Sequence, residues 1–313
     1  TTAWDAIIVP DPLTFYPVSY TPYDIVKGPD GNLWFTECAT LCKVGKISPS
    51  GVVTETVDLA NAHDISPGPD GNMWFSELRR GYVGKVTPAM NVTEFQVKSL
   101  GPMEGFDETG LTIGSDGNLW IFATLHMVEI DRAGAIALHS ATGDGNPQYM
   151  LLGPDHNLWT YANNGFQKYA NGTFTVYFAP GPFYFIQSNM VFGADGNGHF
   201  ALNNGLGAFS VNGSFSSTPL PSAPFGPCFT IGPDGKAWDT TADTSTVPNL
   251  PGVASASLDG KTVTFYQTSL KVPLAFPYDG RCAAWGSDNN LWFTSWSNSG
   301  QATPGIFRFR YNP

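Results

Sequence analysis

Three side chains of this sequence could move protons and stabilise a developing negative charge. His63 is followed directly by Asp64, and a carboxylate beside a histidine can orient the imidazole as a general base. Tyr23 could share the handling of protons with His63. The guanidinium of Arg281 stays charged and offers several N–H donors, which suit an enolate, a carboxylate or a tropolone-type pair of oxygens. Arg281, His63 and Tyr23 are therefore our candidate catalytic residues.

Each of these assignments has a structural alternative. His63 could be an ordinary hydrogen-bonded histidine, and Arg281 could form an ion pair with Asp279. Acidic side chains could also hold Mg²⁺ or Ca²⁺, because these ions prefer oxygen ligands. The acidic residues concerned are Asp24, Asp64, Glu37 and Glu77. No metal-binding spacing motif joins them, so we predict no cofactor and keep a magnesium or calcium site as the alternative.

Aromatic residues accompany the polar candidates along the chain. An apolar lining with a few convergent polar groups is typical of a site for a small molecule. The predicted substrate-binding residues are Asp24, Asp64, Phe106, Gln148, Tyr149, Phe185, Phe225, Tyr278 and Trp296. The sequence contains no nucleophile elbow, phosphate-binding loop or zinc-protease motif that would indicate a different chemistry.

A repeated turn and strand must position these residues. The stretch Gly-Pro-Asp-Gly-Asn-Leu-Trp-Phe-Thr-Glu occupies residues 28–37 and recurs, more or less altered, six more times. Six copies carry a tryptophan at the same motif position, and the fifth carries a histidine; in chain order these residues are Trp34, Trp74, Trp120, Trp159, His199, Trp238 and Trp292. A period of about 40 residues with Asp-Gly turns between alternating strands indicates four-stranded propeller blades. The sequence therefore predicts an all-β, seven-bladed β-propeller that forms a single domain over residues 1–313.

The same repeat serves as a ruler along the chain. Eleven residues before each motif Trp lies the predicted top end of the innermost strand of each blade, which we call the mouth of the propeller. The mouth positions are Tyr23, His63, Thr109, Gln148, Ser188, Pro227 and Arg281. The chain ends with Gly305 to Tyr311, a third strand with no fourth strand after it. We expect Trp4 to Val9 to supply that strand and close the last blade.

The composition restricts the partners of the protein. The formal net charge is −11, which argues against nucleic acid, an anionic membrane or a polyanionic polymer. No apolar run approaches the length of a membrane span. We therefore predict a small-molecule substrate, no nucleic-acid or membrane partner, and a monomer or weak dimer.

Cysteines and glycosylation sequons point to an oxidising compartment. Cys38 and Cys42 lie four residues apart, and Cys228 and Cys282 occupy equivalent positions of adjacent repeats. The sequons begin at Asn91, Asn171 and Asn212. Together they predict a disulfide-bonded glycoprotein of a eukaryote such as a fungus, either secreted or in the lumen of the secretory pathway. Four free cysteines with unused sequons are the alternative, and a zinc site is disfavoured because no histidine clusters with the cysteines.

The motif of residues 28–37, followed by Val44-Gly45-Lys46-Ile47, resembles the virginiamycin B (streptogramin B) lyase family of seven-bladed propellers. This resemblance implies the linearisation of a cyclic depsipeptide by elimination. It also implies a general-base histidine near the start of the last blade's inner strand, and a magnesium ion held by acidic residues. Arg281 falls at that histidine position, and Asp279 and Trp296 fall near the two metal-ligand positions. Pro227 or Phe225 corresponds to a second active-site histidine of the family.

The sequence also resembles, in general character, fungal propellers that act as intermolecular hetero-Diels–Alderases. That resemblance implies an arginine that promotes dehydration and an aromatic pocket that orients a cycloaddition. We therefore predict an enzyme of natural-product metabolism that acts by elimination or dehydration on a small apolar or aromatic substrate, with cycloaddition as a further step. The alternatives are a streptogramin-type lyase, a non-catalytic secreted propeller that binds a ligand or glycan, and, less favoured, a polysaccharide lyase.

Overall fold

The computed structural model describes residues 5–8, 13–77, 81–97, 110–123, 126–140, 148–162, 165–178, 190–202, 205–220, 229–243, 250–267, 282–295 and 304–311. These residues form strands and turns in seven separate sheets, which confirms the prediction of an all-β, seven-bladed β-propeller. Within these ranges there is no helix that is long and apolar enough to cross a membrane. We number the sheets 1 to 7 in chain order.

The chain divides into two compact units. One of them spans residues 26–184. It contains sheets 1 to 4, each an antiparallel meander of four strands, with the first strand of sheet 1 beginning before residue 26. The strands are β3 (Thr21–Lys27), β4 (Leu33–Cys38), β5 (Cys42–Ile47), β6 (Val53–Glu55), β7 (Ile65–Pro67), β8 (Met73–Glu77), β9 (Tyr82–Val86), β10 (Val92–Gln96), β11 (Leu111–Ile113), β12 (Leu119–Ala123), β13 (His126–Ile130), β14 (Ile136–Ser140), β15 (Gln148–Leu152), β16 (Leu158–Ala162), β17 (Gly165–Ala170) and β18 (Thr173–Phe178).

The other unit comprises residues 1–25 and 185–313 and contains sheets 5 to 7. Its strands are β1 (Asp5–Ile8), β2 (Leu13–Pro17), β19 (Val191–Phe192), β20 (Asn197–Leu202), β21 (Gly205–Ser210), β22 (Phe215–Pro219), β23 (Thr230–Ile231), β24 (Ala237–Asp243), β25 (Leu250–Ala256), β26 (Val263–Gln267), β27 (Ala283–Trp285), β28 (Leu291–Ser295) and β29 (Gly305–Phe309). In both units the hydrophobic cores lie between successive sheets and are built from their Trp, Phe and aliphatic residues.

The N-terminal segment closes sheet 7 with a different stretch from the one predicted. The strand that pairs antiparallel with β29 is β2, not Trp4 to Val9. Within the predicted stretch, β1 instead pairs in parallel with β26 and adds a fifth strand to sheet 6. The physical reason is aromatic packing: the ring of Tyr16 stacks on Trp292 at 5.3 Å, and Phe15 lies 5.0 Å from Phe307. β2 therefore supplies a stacked aromatic partner for Trp292, just as the outer strand β10 of sheet 2 supplies Phe95 for Trp74.

The repeated turn is held together by one carboxylate. In sheet 2, Asp70 Oδ1 accepts hydrogen bonds from the Asn72 N–H at 3.1 Å and from Trp74 Nε1 at 3.0 Å. Gly71 lies in the left-handed region with a φ of 77°, and a Cβ at Gly68 would lie 2.0 Å from Trp74 Cδ1. The motif glycines are thus required by backbone conformation and by the close approach of the indole.

A disulfide joins β4 to β5. Cys38 and Cys42 form this bond across the connection between the two strands. Cys282 is also disulfide-bonded, while Cys228, its predicted partner, lies outside the described residues. The disulfide agrees with an oxidising compartment, since such bonds are rare in the cytosol.

Candidate functional site

The described candidate residues concentrate where the inner strand of sheet 2 begins. His63 and Asp64 immediately precede β7 and extend its pairing with β8. The His63 N–H donates to the Ser76 carbonyl at 2.9 Å, and the Ser76 N–H donates to the Asp64 carbonyl at 3.0 Å. Because both residues belong to this hydrogen-bonded ladder, their side chains project from a fixed backbone. His63 and Asp64 are 6% and 3% exposed, so both groups are almost removed from solvent.

The Asp64 carboxylate is oriented by two further groups. The Ser76 hydroxyl donates to Asp64 Oδ2 at 3.3 Å, and the same oxygen accepts the Gly110 N–H at 3.3 Å. Its other oxygen, Oδ1, lies 3.5 Å from His63 Nδ1. This arrangement leaves one carboxylate oxygen directed at the imidazole while the other is anchored by the protein. At this distance the carboxylate is placed to stabilise positive charge on the imidazole.

Residues of sheet 1 contact the backbone at and before His63. The Thr36 hydroxyl donates to the His63 carbonyl. Cys38 Sγ lies 3.2 Å from the carbonyl oxygen of Ala62, the residue before His63. Next to Thr36, the carboxylate-bearing residue Glu37 is fully buried at the end of β4. The disulfide and β4 thus border the backbone that carries the imidazole.

A second buried glutamate lies beside the histidine on the same hairpin. Glu77 ends β8 directly after Ser76 and is 0% exposed. Glu37 and Glu77 occupy equivalent positions of sheets 1 and 2, three residues after the motif tryptophans Trp34 and Trp74. The other sheets have no acidic residue at this position, so the two glutamates mark sheets 1 and 2 as chemically distinct from the rest of the repeat.

The site continues into the starts of sheets 3 and 4. Gly110, which donates to Asp64, has a φ of 69°, and a Cβ there would lie 3.3 Å from the Met150 nitrogen and 3.5 Å from Tyr149 Cα. Tyr149 itself has a φ of 49° at an irregularity of β15, and its ring stacks on Tyr161 at 5.7 Å. A non-glycine residue with a positive φ is a local strain that is typical of functional positions. The structure therefore brings together His63, Asp64 and Gly110, and it places the Tyr149 backbone next to Gly110.

Two candidates belong to the unit formed by residues 1–25 and 185–313. Tyr23 and Asp24 lie within β3; Asp24 is 1% exposed and Tyr23 is partly buried.

Gln148 begins β15 in the other unit, but its side chain is outside the described part. Also outside it are Phe106, Phe185, Phe225, Tyr278, Arg281 and Trp296. Their assignments stay predictions.

Ser76 and Gly110 are the functional residues that sequence reasoning missed. Ser76 lies two residues after Trp74, where sheets 1, 6 and 7 also carry a hydroxyl residue, Thr36, Thr240 and Thr294. Because the hydroxyl recurs in the repeat, it did not single out Ser76 for a role beside Asp64. Gly110 also gave little signal in the sequence, because its hydrogen bond is to Asp64, which lies 46 residues earlier in the chain.

The described residues do not provide a metal site. They contain no group of three or more His, Cys, Asp or Glu side chains that could hold an ion. Of the two positions that the family resemblance implies as metal ligands, the one near Trp296 carries an indole, which can only donate a hydrogen bond. The prediction that no cofactor is needed remains a prediction.

Comparison with known proteins identifies related propellers. The sequence model of the virginiamycin B lyase family matches residues 13–181. A streptogramin B lyase structure superposes with a TM-score of 0.73 at 22% identity, covering 95% of this chain and 96% of that one. A catalytically inactive virginiamycin B lyase variant from Staphylococcus aureus, solved with quinupristin, gives a TM-score of 0.73 at 20% identity over 95% and 98% of the two chains. YCF48 bound to a D1 peptide gives 0.67 at 11% identity over 99% and 98%.

A search of curated protein sequences finds no match. At these identities the solved structures establish a common fold. The family match carries more, because residues 13–181 include His63, Asp64, Ser76 and Gly110.

Proposed function

The chain belongs to the virginiamycin B lyase family, and from that membership we propose that it is a lyase that opens a streptogramin-type cyclic depsipeptide by elimination. One observation carries the catalytic assignment: the buried His63 imidazole lies 3.5 Å from a carboxylate that two other groups anchor. The S. aureus relative was solved with quinupristin, which makes that compound the natural first probe.

In the proposed reaction, His63 is the general base. Its Nε2 removes the proton from the carbon next to a carbonyl, on the residue whose side-chain oxygen closes the ring ester. The electron pair of that C–H bond forms a carbon–carbon double bond as the adjacent C–O bond breaks. The ester carboxylate leaves, and His63 holds the proton until it is released to solvent. Asp64 acts as a positioning residue that stabilises the imidazolium.

This assignment differs from the position that the family resemblance implies for the base. The sequence contains no histidine after His199, so no histidine is available in the last two blades. His63 is the histidine that the structure places next to an anchored carboxylate at the start of an inner strand. The base would therefore act from the second blade of the propeller.

The mass of the product distinguishes the possible reactions with quinupristin. Elimination gives a linear product with the mass of the substrate, whereas hydrolysis adds one water and dehydration removes one. We expect an isomeric, ring-opened product by liquid chromatography and mass spectrometry. His63→Ala should lower kcat/KM by about 10²- to 10⁴-fold, the usual contribution of a general base. His156→Asn, at an exposed turn position, is the matched control and should retain activity.

A second candidate function follows from Arg281. This residue falls where the family places its base, and an arginine there would stabilise oxygen charge rather than remove a proton. Such a protein would dehydrate a small aromatic natural product, and the predicted aromatic residues would orient a hetero-Diels–Alder cycloaddition of the dehydrated species. Unchanged quinupristin, together with loss of water from a hydroxylated aromatic substrate that depends on Arg281, would favour this candidate over the depsipeptide lyase.

A binding function without chemistry is the remaining alternative. YCF48, a propeller of similar fold, was solved with a bound peptide. Quinupristin that binds without being converted, in wild type and His63→Ala alike, would refute the lyase proposal and support a binding propeller.

A further inference from the structure

The three sequons occupy the same element in three different sheets. Each lies in the turn that joins the third strand of its sheet to the fourth, outermost strand. Asn91 accompanies the turn between β9 and β10, Asn171 the turn between β17 and β18, and Asn212 the turn between β21 and β22. The backbone closes each turn, for example by the Thr87 N–H to Asn91 carbonyl bond and the Ser210 N–H to Ser214 carbonyl bond, both of 2.9 Å.

All three acceptor groups are accessible. The side chains of Asn91, Asn171 and Asn212 are exposed, as are the hydroxyl residues Thr93, Thr173 and Ser214 that complete the sequons. An oligosaccharide at any of the three would extend into solvent without displacing a core side chain. Exposure at every sequon is what glycosylation requires, and none of the three lies in a buried strand.

The sequons also adjoin sheet edges that no other strand of the described residues covers. β10, β18 and β22 are terminal in the strand orders of sheets 2, 4 and 5. Such edge strands offer unpaired backbone groups to other chains. β18 additionally exposes Phe178, which is 66% accessible at its far end.

Sheets 6 and 7 manage their edges differently. β1 covers the outer strand of sheet 6, and β2 forms the outer strand of sheet 7. In sheet 1 the outer strand β6 has only three residues, which limits strand addition. Among the described residues of sheets 1 to 5, four sheets have an outer strand of at least five residues and no covering strand, and three of these four, sheets 2, 4 and 5, carry a sequon. The fourth is sheet 3, whose outer strand β14 has no sequon.

We infer that Asn91, Asn171 and Asn212 carry N-linked oligosaccharides, and that these glycans shield the outer edges of sheets 2, 4 and 5 from strand addition. In the modification, the side-chain amide nitrogen of Asn bonds to the anomeric carbon of a lipid diphosphate-linked oligosaccharide. The lipid diphosphate leaves, and the amide loses one proton. The inference requires passage through an oxidising secretory compartment, with which the Cys38–Cys42 disulfide agrees.

The first test is a direct measurement of occupancy. The full chain is expressed behind a secretory leader in a eukaryotic host, and its intact mass is measured before and after digestion with peptide N-glycosidase. We expect the mass to fall by three glycans and Asn91, Asn171 and Asn212 to become Asp. Thr93→Ala, Thr173→Ala and Ser214→Ala should each remove one glycan. Thr54→Ala is the matched control, because Thr54 faces Lys46 as Thr93 faces Lys85, but outside a sequon.

The second test examines shielding. Native deglycosylation of the folded protein avoids any effect of a variant on folding. We expect the deglycosylated protein to self-associate with concentration in sedimentation velocity, while the glycosylated protein does not. A secreted, disulfide-bonded chain with the bare polypeptide mass would overturn the modification. A deglycosylated protein that sediments like the glycosylated one over the same concentrations would overturn the shielding role.

Discussion

The two ends of the β7–β8 hairpin each hold a carboxylate, and the two carboxylates are satisfied in different ways. At the turn, Asp70 receives its hydrogen bonds from Asn72 and Trp74, which lie within four residues of it. At the other end, Asp64 is anchored by Ser76 and by Gly110, 12 and 46 residues away. Local donors recur in every copy of the repeat, whereas distant donors are particular to one site. The first carboxylate therefore stabilises the blade, and the second is available to orient a histidine.

The largest difference between the two ends should appear when the indole at the turn or the imidazole at the other end is removed. Trp74→Ala removes a side chain that is 2% exposed and should cost about 3–5 kcal/mol of unfolding free energy. His63→Ala should change stability far less and instead lower kcat/KM by about 10²- to 10⁴-fold. Urea unfolding of both variants, with Phe178→Ala as an exposed aromatic control, checks this reversal. Equal losses of stability at both ends would show that His63 is structural.

Replacing each carboxylate by its amide sharpens the same contrast. Asp64→Asn should lower kcat by a factor between about 10 and 10⁴ and alter the pH profile with little change in KM, because the imidazolium loses its orienting charge. Asp70→Asn should cost about 1–3 kcal/mol of stability and leave the turnover of folded molecules unchanged. The two sets of measurements are kcat and KM against pH, and denaturant midpoints.

A structural role for Asp64 would show a different signature. The denaturant midpoint would fall, and the pH profile of the remaining activity would keep its shape. Restoration of activity in Asp64→Glu would instead support a requirement for the charge.

The repeat-encoded end was predictable from sequence because its donors and acceptor lie within one heptapeptide. Gly68 to Trp74 specifies the turn, the glycine conformations and the packing of the indole without reference to distant residues. The count from each Trp also placed His63 two residues before β7 and Gln148 at the first residue of β15. Register inherited from a repeat is thus readable from sequence.

The other end was not predictable to the same extent. The donation from Gly110 to Asp64 depends on how sheet 3 packs beside sheet 2, and no local pattern encodes it. An N-terminal strand does close the last blade, but the segment predicted for it was wrong for a related reason. Both Trp4–Val9 and Leu13–Pro17 have strand-like patterns, and the choice between them is made by contacts of Phe15 and Tyr16 with residues near the C-terminus.

Acid should affect two of the repeat carboxylates, Asp30 and Asp70, in the same way. Burial by itself would raise the pKa of Asp30 and of Asp70, but the hydrogen bonds from the motif Trp and Asn outweigh it, and both pKa values are lowered. A lowered pKa in the folded state adds stability that is complete above the unfolded value of about 3.9 and is lost as the pH falls through the folded value. Stability measured by urea unfolding should therefore decline below about pH 4. Asp70→Asn should make that decline shallower, and an identical slope in the variant would contradict the assignment.

The smallest effect is expected where the repeat itself varies. In sheet 5 His199 replaces the tryptophan, and its Nε2 lies 3.0 Å from both oxygens of Asp195. His199→Trp keeps an N–H donor for Asp195, so we expect a change in unfolding free energy within about 1 kcal/mol. His199→Phe keeps an aromatic ring but has no N–H donor for Asp195. It should lower the unfolding free energy by about 1–3 kcal/mol more than His199→Trp does. If denaturant midpoints show the two variants to be equally stable, then packing rather than the carboxylate holds this turn, and the distinction between local and distant donors loses its energetic basis.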